Sequence, residues 1–355
     1  MWAGFAAYLG VLAAAPALGG RLVWGTIAVL VAAFAVAPVL LSHDVYSYVD
    51  YARLGVVHDL DPYVHPPKAV PTDPAFADVT WTESTSAYGP LFTLATYPLA
   101  WLGVGAAVAV LKAVAALSVL GLAAIAARLA AWRGIEPLRA AAFVALNPLV
   151  LVHVVGGAHN DGLTMLLSML AVAAILSARE AAGGAALVAA VATKASAALL
   201  APFALLATVR DRGWQRLLAG TALTAALVAG AACLAFGWDW LSGFGLAGEN
   251  QSRTSHMSIP ITFARISGLD PDLVRAVAAL LYASLVAWLL IWTWRGGDWV
   301  RAAAWAAAGL LLATSWLLPW YLIWLLPLAA ISRDRPLQLL TLALTAYQLG
   351  ARIPL

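Results

Sequence analysis

The chain has 355 residues, 63% of them hydrophobic and 10% charged, with a mean hydropathy of +0.89. Those values exclude an ordinary soluble domain, and recurrent apolar runs of span length point to a polytopic membrane protein. The net charge of +3 reads as a topology signal rather than a nucleic-acid footprint, and the single cysteine, Cys233, excludes a disulfide within the chain.

Apolar runs at 3–19 and 22–41 come first. No basic stretch precedes the first run and no small-residue cleavage site follows it, so it is expected to remain as a span. At 42–55 follows SHDVYSYVDYARLG, and then DLDPYVHPP. Acids, histidines and tyrosines gathered at a membrane exit mark the place to look for chemistry. Helical spacing puts Asp44, Ser47, Tyr48 and Tyr51 on one face and Asp50 on another, with Arg53 three residues on as its expected partner. The prolines of DPY and HPP end that short interfacial helix.

Further spans are expected at 104–128, 138–155, 162–178, 214–236, 272–293, 299–317 and 337–353. Shorter apolar pieces at 89–102, 182–193, 195–209 and 319–332 read as half-helices or a broken hairpin. The fold class is all-α, a transmembrane helical bundle of about ten to twelve spans forming one domain. Arg21, Arg128, Arg133, Arg139, Arg179, Arg210, Arg212, Arg216, Arg295, Arg301, Arg333 and Arg335 fall in connections that an alternating path puts on one side. The positive-inside rule makes that side cytoplasmic. The loops 42–88, 156–161 and 237–271 and the amino terminus are then extracytoplasmic, provided that 182–209 enters and leaves on one side. The loop 237–271, rich in Gly, Ser and Trp, is expected to be mobile at the interface.

Five places could carry chemistry. Asp44 can serve as a general base or merely cap its helix, a role open to Ser42 as well. Tyr46, Tyr48 and Tyr51 fit either a site or an interfacial belt. In HVVGGAHND at 153–161, the side chains of His159, Asn160 and Asp161 exceed the needs of one cap and suit a sugar or phosphate contact. Lys194, the only charge between Glu180 and Arg210, is costly at depth and needs a cavity, a carboxylate or a lipid phosphate, unless it snorkels. Lys112, near the start of its span, is expected to snorkel. The segment SWLLPWYLIWLLPL at 315–328 is mostly packing, with some of its rings free to line a groove. In the second long loop, Arg253 and His256, with Arg265 beyond, could hold a phosphate or simply be solvated. No phosphate-loop, HExxH or CxxC pattern occurs. His43, His58 and His65 lack a regular ligand spacing, so no cofactor is expected, and a divalent cation has little support.

Taken in order, SHDVYSYVDYARLG with DPYVHPP, SAYGPLF at 86–92, NPLVLVHVVGGAHND at 147–161, ATKASAALLAPF and LLPWYLIWLLPL cover roughly residues 40–330. On these motifs the chain resembles the polyprenol-phosphomannose-dependent α-1,6-mannosyltransferases of actinobacterial cell envelopes, integral membrane glycosyltransferases of the GT-C class. The resemblance implies transfer of mannose from a polyprenyl-phosphate donor to a mannan or lipoglycan hydroxyl, outside the plasma membrane and with inversion. Asp44 would be the base. His43, Tyr48, Tyr88, His159, Asn160, Asp161, Lys194, Arg253, His256, Trp320 and Tyr321 would bind substrate, with Lys194 and Arg253 toward the phosphate. The chain is shorter than typical members, which leaves the acceptor and sugar open. The rival readings are a related enzyme using another lipid-linked sugar such as arabinose, and a secondary transporter or lipid flippase.

Overall fold

A computed structural model describes residues 2–209, 211–249 and 252–351. Arg210 and the last residues of the span expected at 337–353 lie outside the described residues. Every regular element among the described residues is helical.

The chain opens with α1 (Trp2–Leu18) and α2 (Gly20–Val36). A non-helical stretch leads to α3 (Asp44–Val57), and short turns lead to α4 (Pro90–Thr96) and a 3₁₀ turn, Tyr97–Trp101. These two short pieces lie beside α3 at the end of the bundle rather than crossing it. The body comprises α5 (Val104–Trp132), α6 (Pro137–Ala145), α7 (Asp161–Leu176), α8 (Glu180–Val191), α9 (Ala201–Val209) and α10 (Trp214–Phe236). Two small helices, α11 (Ser242–Glu249) and α12 (Ile259–Ser267), precede α13 (Pro271–Trp294), α14 (Trp299–Ala313), α15 (Leu326–Ala330) and α16 (Arg335–Gly350).

Among the described residues α5, α10 and α13 are each long and apolar enough to cross a membrane alone. The remaining apolar helices are shorter, so much of the expected span count is built from pieces. The run expected as one span at 138–155 breaks after Ala145. Pro148 has no N–H to give, and Asn147 turns outward from the helix ladder to donate to Thr345 Oγ1 at 3.0 Å. A π-helical turn, Val150–Val155, then carries the chain to Gly156. The second long loop is not an irregular strap, because α11 and α12 occupy it. Ser258 starts α12 by accepting from the amide of Ile261 at 3.3 Å.

Two buried features correct the sequence reading. Lys112 does not snorkel: it is 4% exposed, and its ammonium donates to the carbonyls of Ala37 and Pro38. Those are orphan acceptors just past the end of α2, which a cation satisfies well. Arg53 does not pair with Asp50. It donates to Asp73 at 2.8 Å, and Asp73 also meets His58 at 2.7 Å.

The hairpin of α8 and α9 decides the topology. Its two ends lie together at the basic end of the bundle, where Arg216 bonds Glu180 at 3.0 Å. Here Gly220 lets α10 pass so close to α8 that a Cβ would sit 2.0 Å from the carbonyl oxygen of Ala181. The tip of the hairpin, 192–194, reaches the opposite end. There it accepts from the amides of Gly89 at 3.1 Å and Leu91 at 3.0 Å. The hairpin therefore enters and leaves at one end, as the alternating path requires.

Candidate active site

At the end opposite the arginines, a cavity of about 370 Å³ opens between the first loop, the hairpin tip, the second loop and the segment joining α14 to α15. Asp44 lines it. His43 occupies the N-cap of α3 without a side-chain cap bond, and Asp44 stands at the first helical position, where the helix dipole favours a carboxylate. The Asp44 side chain caps nothing. Oδ1 accepts from the indole N–H of Trp81 at 3.0 Å, and Oδ2 lies 3.6 Å from Nδ1 of His159. Burial raises its pKa above the usual carboxylate value. The Trp81 bond and the charge of Lys194 oppose that rise, and the charge of Asp161 adds to it.

The turn HVVGGAHND forms the inner wall. Ala158 holds φ +54°, a left-handed backbone that costs a residue with a Cβ about 1 kcal/mol. His159 is fully buried and stacks on Trp320, with centroids 3.8 Å apart and planes at 20°. Asn160 occupies the N-cap of α7 but makes no side-chain cap bond, and Asp161 turns away from the helix. Asp161 Oδ2 accepts from Lys194 at 2.7 Å, and Oδ1 accepts from the indole of Trp324 at 2.7 Å. Capping thus fails as the explanation of either acid. Lys194 also lies over the rings of Tyr321 at 5.5 Å and Trp324 at 6.0 Å. One of its donors is spent on Asp161, and the cation borders the cavity.

The structure sorts the expected site residues. Asp44, Tyr88, Lys194, Arg253, Trp320 and Tyr321 line the cavity. His159 and Asp161 are held directly behind it. Tyr48 is buried beneath, edge-on to Tyr88 at 4.8 Å and Phe92 at 5.0 Å, and Asn160 is buried without lining the cavity. Two expected residues lie away from the cavity. His43 is exposed, its Nδ1 3.1 Å from the carbonyl oxygen of Asp78, and His256 is exposed on the second loop. Neither lines the cavity. Sequence reasoning missed Trp81, Ser84, Thr85, Ser196 and Phe244. The residues of 58–88 have no period to show which way a side chain points. Tyr51 was legible from its face, and its hydroxyl donates to the carbonyls of Ser84 and Thr85 at 2.8 and 3.2 Å. Among the described residues no three His, Cys, Asp or Glu side chains gather as a metal-ligand group.

Comparison with known proteins adds three findings. Residues 1–210 match the profile of a family described as alpha-(1→6)-mannopyranosyltransferase, N-terminal domain. The chain is 31% identical over 330 residues to alpha-(1→6)-mannopyranosyltransferase A of Mycobacterium tuberculosis, an alignment covering 83% of this chain and 63% of that protein. It is 32% identical over 194 residues to alpha-(1→6)-mannopyranosyltransferase A of Corynebacterium glutamicum, covering 51% of this chain and 38% of that one. The chain thus spans less than two thirds of the length of these relatives. No solved structure is significantly similar to it.

Proposed function

We infer function from one premise: the chain belongs to the alpha-(1→6)-mannopyranosyltransferase family. Our reading is a mannosyltransferase of the plasma membrane that takes mannose from a polyprenyl-phosphate donor. It passes the sugar to a hydroxyl of a mannan or lipoglycan on the extracytoplasmic face. One observation carries this reading. A carboxylate of raised pKa and a lysine meet in one cavity, at the end of the bundle opposite the arginine-rich connections. The positive-inside rule puts that end outside.

The chemistry requires both groups. The acceptor hydroxyl oxygen forms a bond to the anomeric carbon as its proton passes to Asp44. The bond from the anomeric carbon to the phosphate oxygen breaks, and its electron pair leaves on the phosphate. Attack from the face opposite the leaving group inverts the centre. A base of raised pKa takes the proton more readily, provided it remains ionised at the working pH. Trp81 holds Oδ1 of Asp44, and Oδ2, which His159 approaches only to 3.6 Å, is the oxygen assigned to the hydroxyl. Lys194, tethered by Asp161 and propped on Tyr321 and Trp324, is placed to offer its remaining N–H donors to the departing phosphate.

The test is transfer from polyprenyl-phosphate-mannose to an α-(1→6)-linked mannoside by purified protein in detergent. Asp44→Asn should lower kcat by about 10²–10⁴-fold without changing the melting temperature. The acid limb of the wild-type rate profile should lie above the ordinary carboxylate pKa of about 4, since Asp44 loses its ionised form as pH falls through its raised value. Full activity in folded Asp44→Asn would overturn the assignment of the base. Transfer from lipid-linked arabinose in place of mannose would overturn the donor.

A further inference from the structure

The cavity holds a second cation, and its setting differs from that of Lys194. Arg253 lies 5.1 Å over the ring of Trp81 and 6.0 Å over that of Trp316. The two indoles meet edge to face at 6.3 Å. All three side chains are half-buried and line the cavity. Lys194 is neutralised by Asp161, whereas Arg253 has no carboxylate or hydrogen-bond partner among the described residues. Its five N–H donors remain to be satisfied.

We propose that Trp81, Trp316 and Arg253 form the acceptor subsite, which binds a hexopyranose of the acceptor glycan. This rests on the transferase reading above. The base must touch the hydroxyl that it deprotonates, and the ring that bonds Asp44 is Trp81. The sugar beside Asp44 on this wall is therefore the acceptor. Indole rings present flat apolar surface to the C–H face of a pyranose, and a guanidinium fork suits a pair of neighbouring hydroxyls. The leaving phosphate belongs instead to the wall of Lys194, Tyr321 and Trp324. The three acceptor-side residues come from the first loop, the second loop and the segment after α14, so the subsite forms only when all three segments meet. In the transfer, the acceptor oxygen held here gains the bond to the anomeric carbon, its proton goes to Asp44, and the electron pair leaves with the donor phosphate.

Binding of α-(1→6)-linked mannotriose to the full chain without donor, read by calorimetry, tests this apart from catalysis. Trp316→Ala should weaken the Kd about tenfold, and Arg253→Lys, which keeps the charge and loses the fork, about threefold. Trp316→Phe, which keeps a ring, should recover most of the affinity and controls for folding. In steady state the same variants should raise KM for the acceptor while KM for the donor stays within about twofold. No binding of the trisaccharide by the wild type, or a donor KM that rises as much as the acceptor KM in Arg253→Lys, would overturn the subsite. The second result would assign Arg253 to the phosphate. A wild type that binds mannotriose but transfers nothing from the lipid donor would count against the proposed function and leave the subsite standing.

Discussion

The two ends of the bundle use the same kinds of charge in opposite ways. At the basic end three buried or half-buried acids are matched by arginines, while Glu136 instead caps α6. Arg216 meets Glu180, Arg133 meets Asp298 while its Nε donates to the carbonyl of Ile331 at 2.6 Å, and Arg301 meets Asp334 at 2.6 Å. Asp334 also receives the indole of Trp305 and the amide of Leu337 in the first turn of α16. Those charges are consumed in joining helices. Around the cavity itself, Lys194 and Arg253 rest on aromatic faces and Asp44 is held by an indole rather than by an arginine, while the Arg53–Asp73 pair stays in the first loop behind α3. The difference separates charge that closes the fold from charge that borders a cavity.

The strongest way to break that contrast is at Lys194 and Asp161, which share both characters. Lys194→Gln alone strands a fully buried carboxylate and should cost about 3–5 kcal/mol of stability, seen as a fall in melting temperature. Adding Asp161→Asn should restore most of the stability, yet leave donor transfer about 10²-fold down. Recovery of both together would make the pair purely structural. A smaller effect tests the other end. Arg133→Gln should lower stability by about 1 kcal/mol with kcat/KM unchanged, and a matching loss of turnover would erase the distinction between the ends.

An effect of a different kind concerns Asp50, a buried acid near the site that belongs to neither class. Burial and then the neighbouring charge of Asp73 push its carboxyl up to about 7, with His58 and Arg53 giving partial relief. Asp73 itself, despite burial, is held below its usual value by Arg53 and His58. A carboxyl raised in the folded state binds its proton more tightly there than in the unfolded chain. Its contribution to stability is fully present below the ordinary value of about 4 and is lost as pH rises through about 7. Asp50→Asn should therefore gain on the wild type in melting temperature between pH 5 and pH 8. A gap that stays constant over that range would refute the shift.

Uninterrupted apolar runs were the legible part of this fold. The bounds of α5, α10 and α13 lie within a few residues of those expected, because nothing inside those runs competes with the helix. Breaks were harder to see where a proline sits in an apolar setting, as Pro148 does. The face carrying Asp44 and Tyr51 was legible because a period of 3.6 fixes which side chains point together. Long-range choices were not. Arg53 prefers Asp73, twenty residues on, to its neighbour on the helix, and Trp81 reaches Asp44 across thirty-seven residues of turns. His43 and His256 stand beside site segments in sequence but do not line the cavity, a placement that composition does not encode.

The backbone splice between Gly89 and the hairpin tip has a mechanical meaning. A Cβ at Gly89 would lie 2.1 Å from the carbonyl oxygen of Ala192, and the amides of Gly89 and Leu91 are tied to that turn. Tyr88 and Lys194, each next in sequence to a residue of that splice, are thus riveted to one frame. The second loop, which carries Arg253, is anchored in turn to the segment after α14, where the Ser255 amide donates to the carbonyl of Ser315 at 2.9 Å and the Ser255 and Ser258 hydroxyls donate to the carbonyls of Leu317 and Thr314. Both walls of the chamber are therefore pinned by backbone, one at the hairpin tip and the other at the segment after α14.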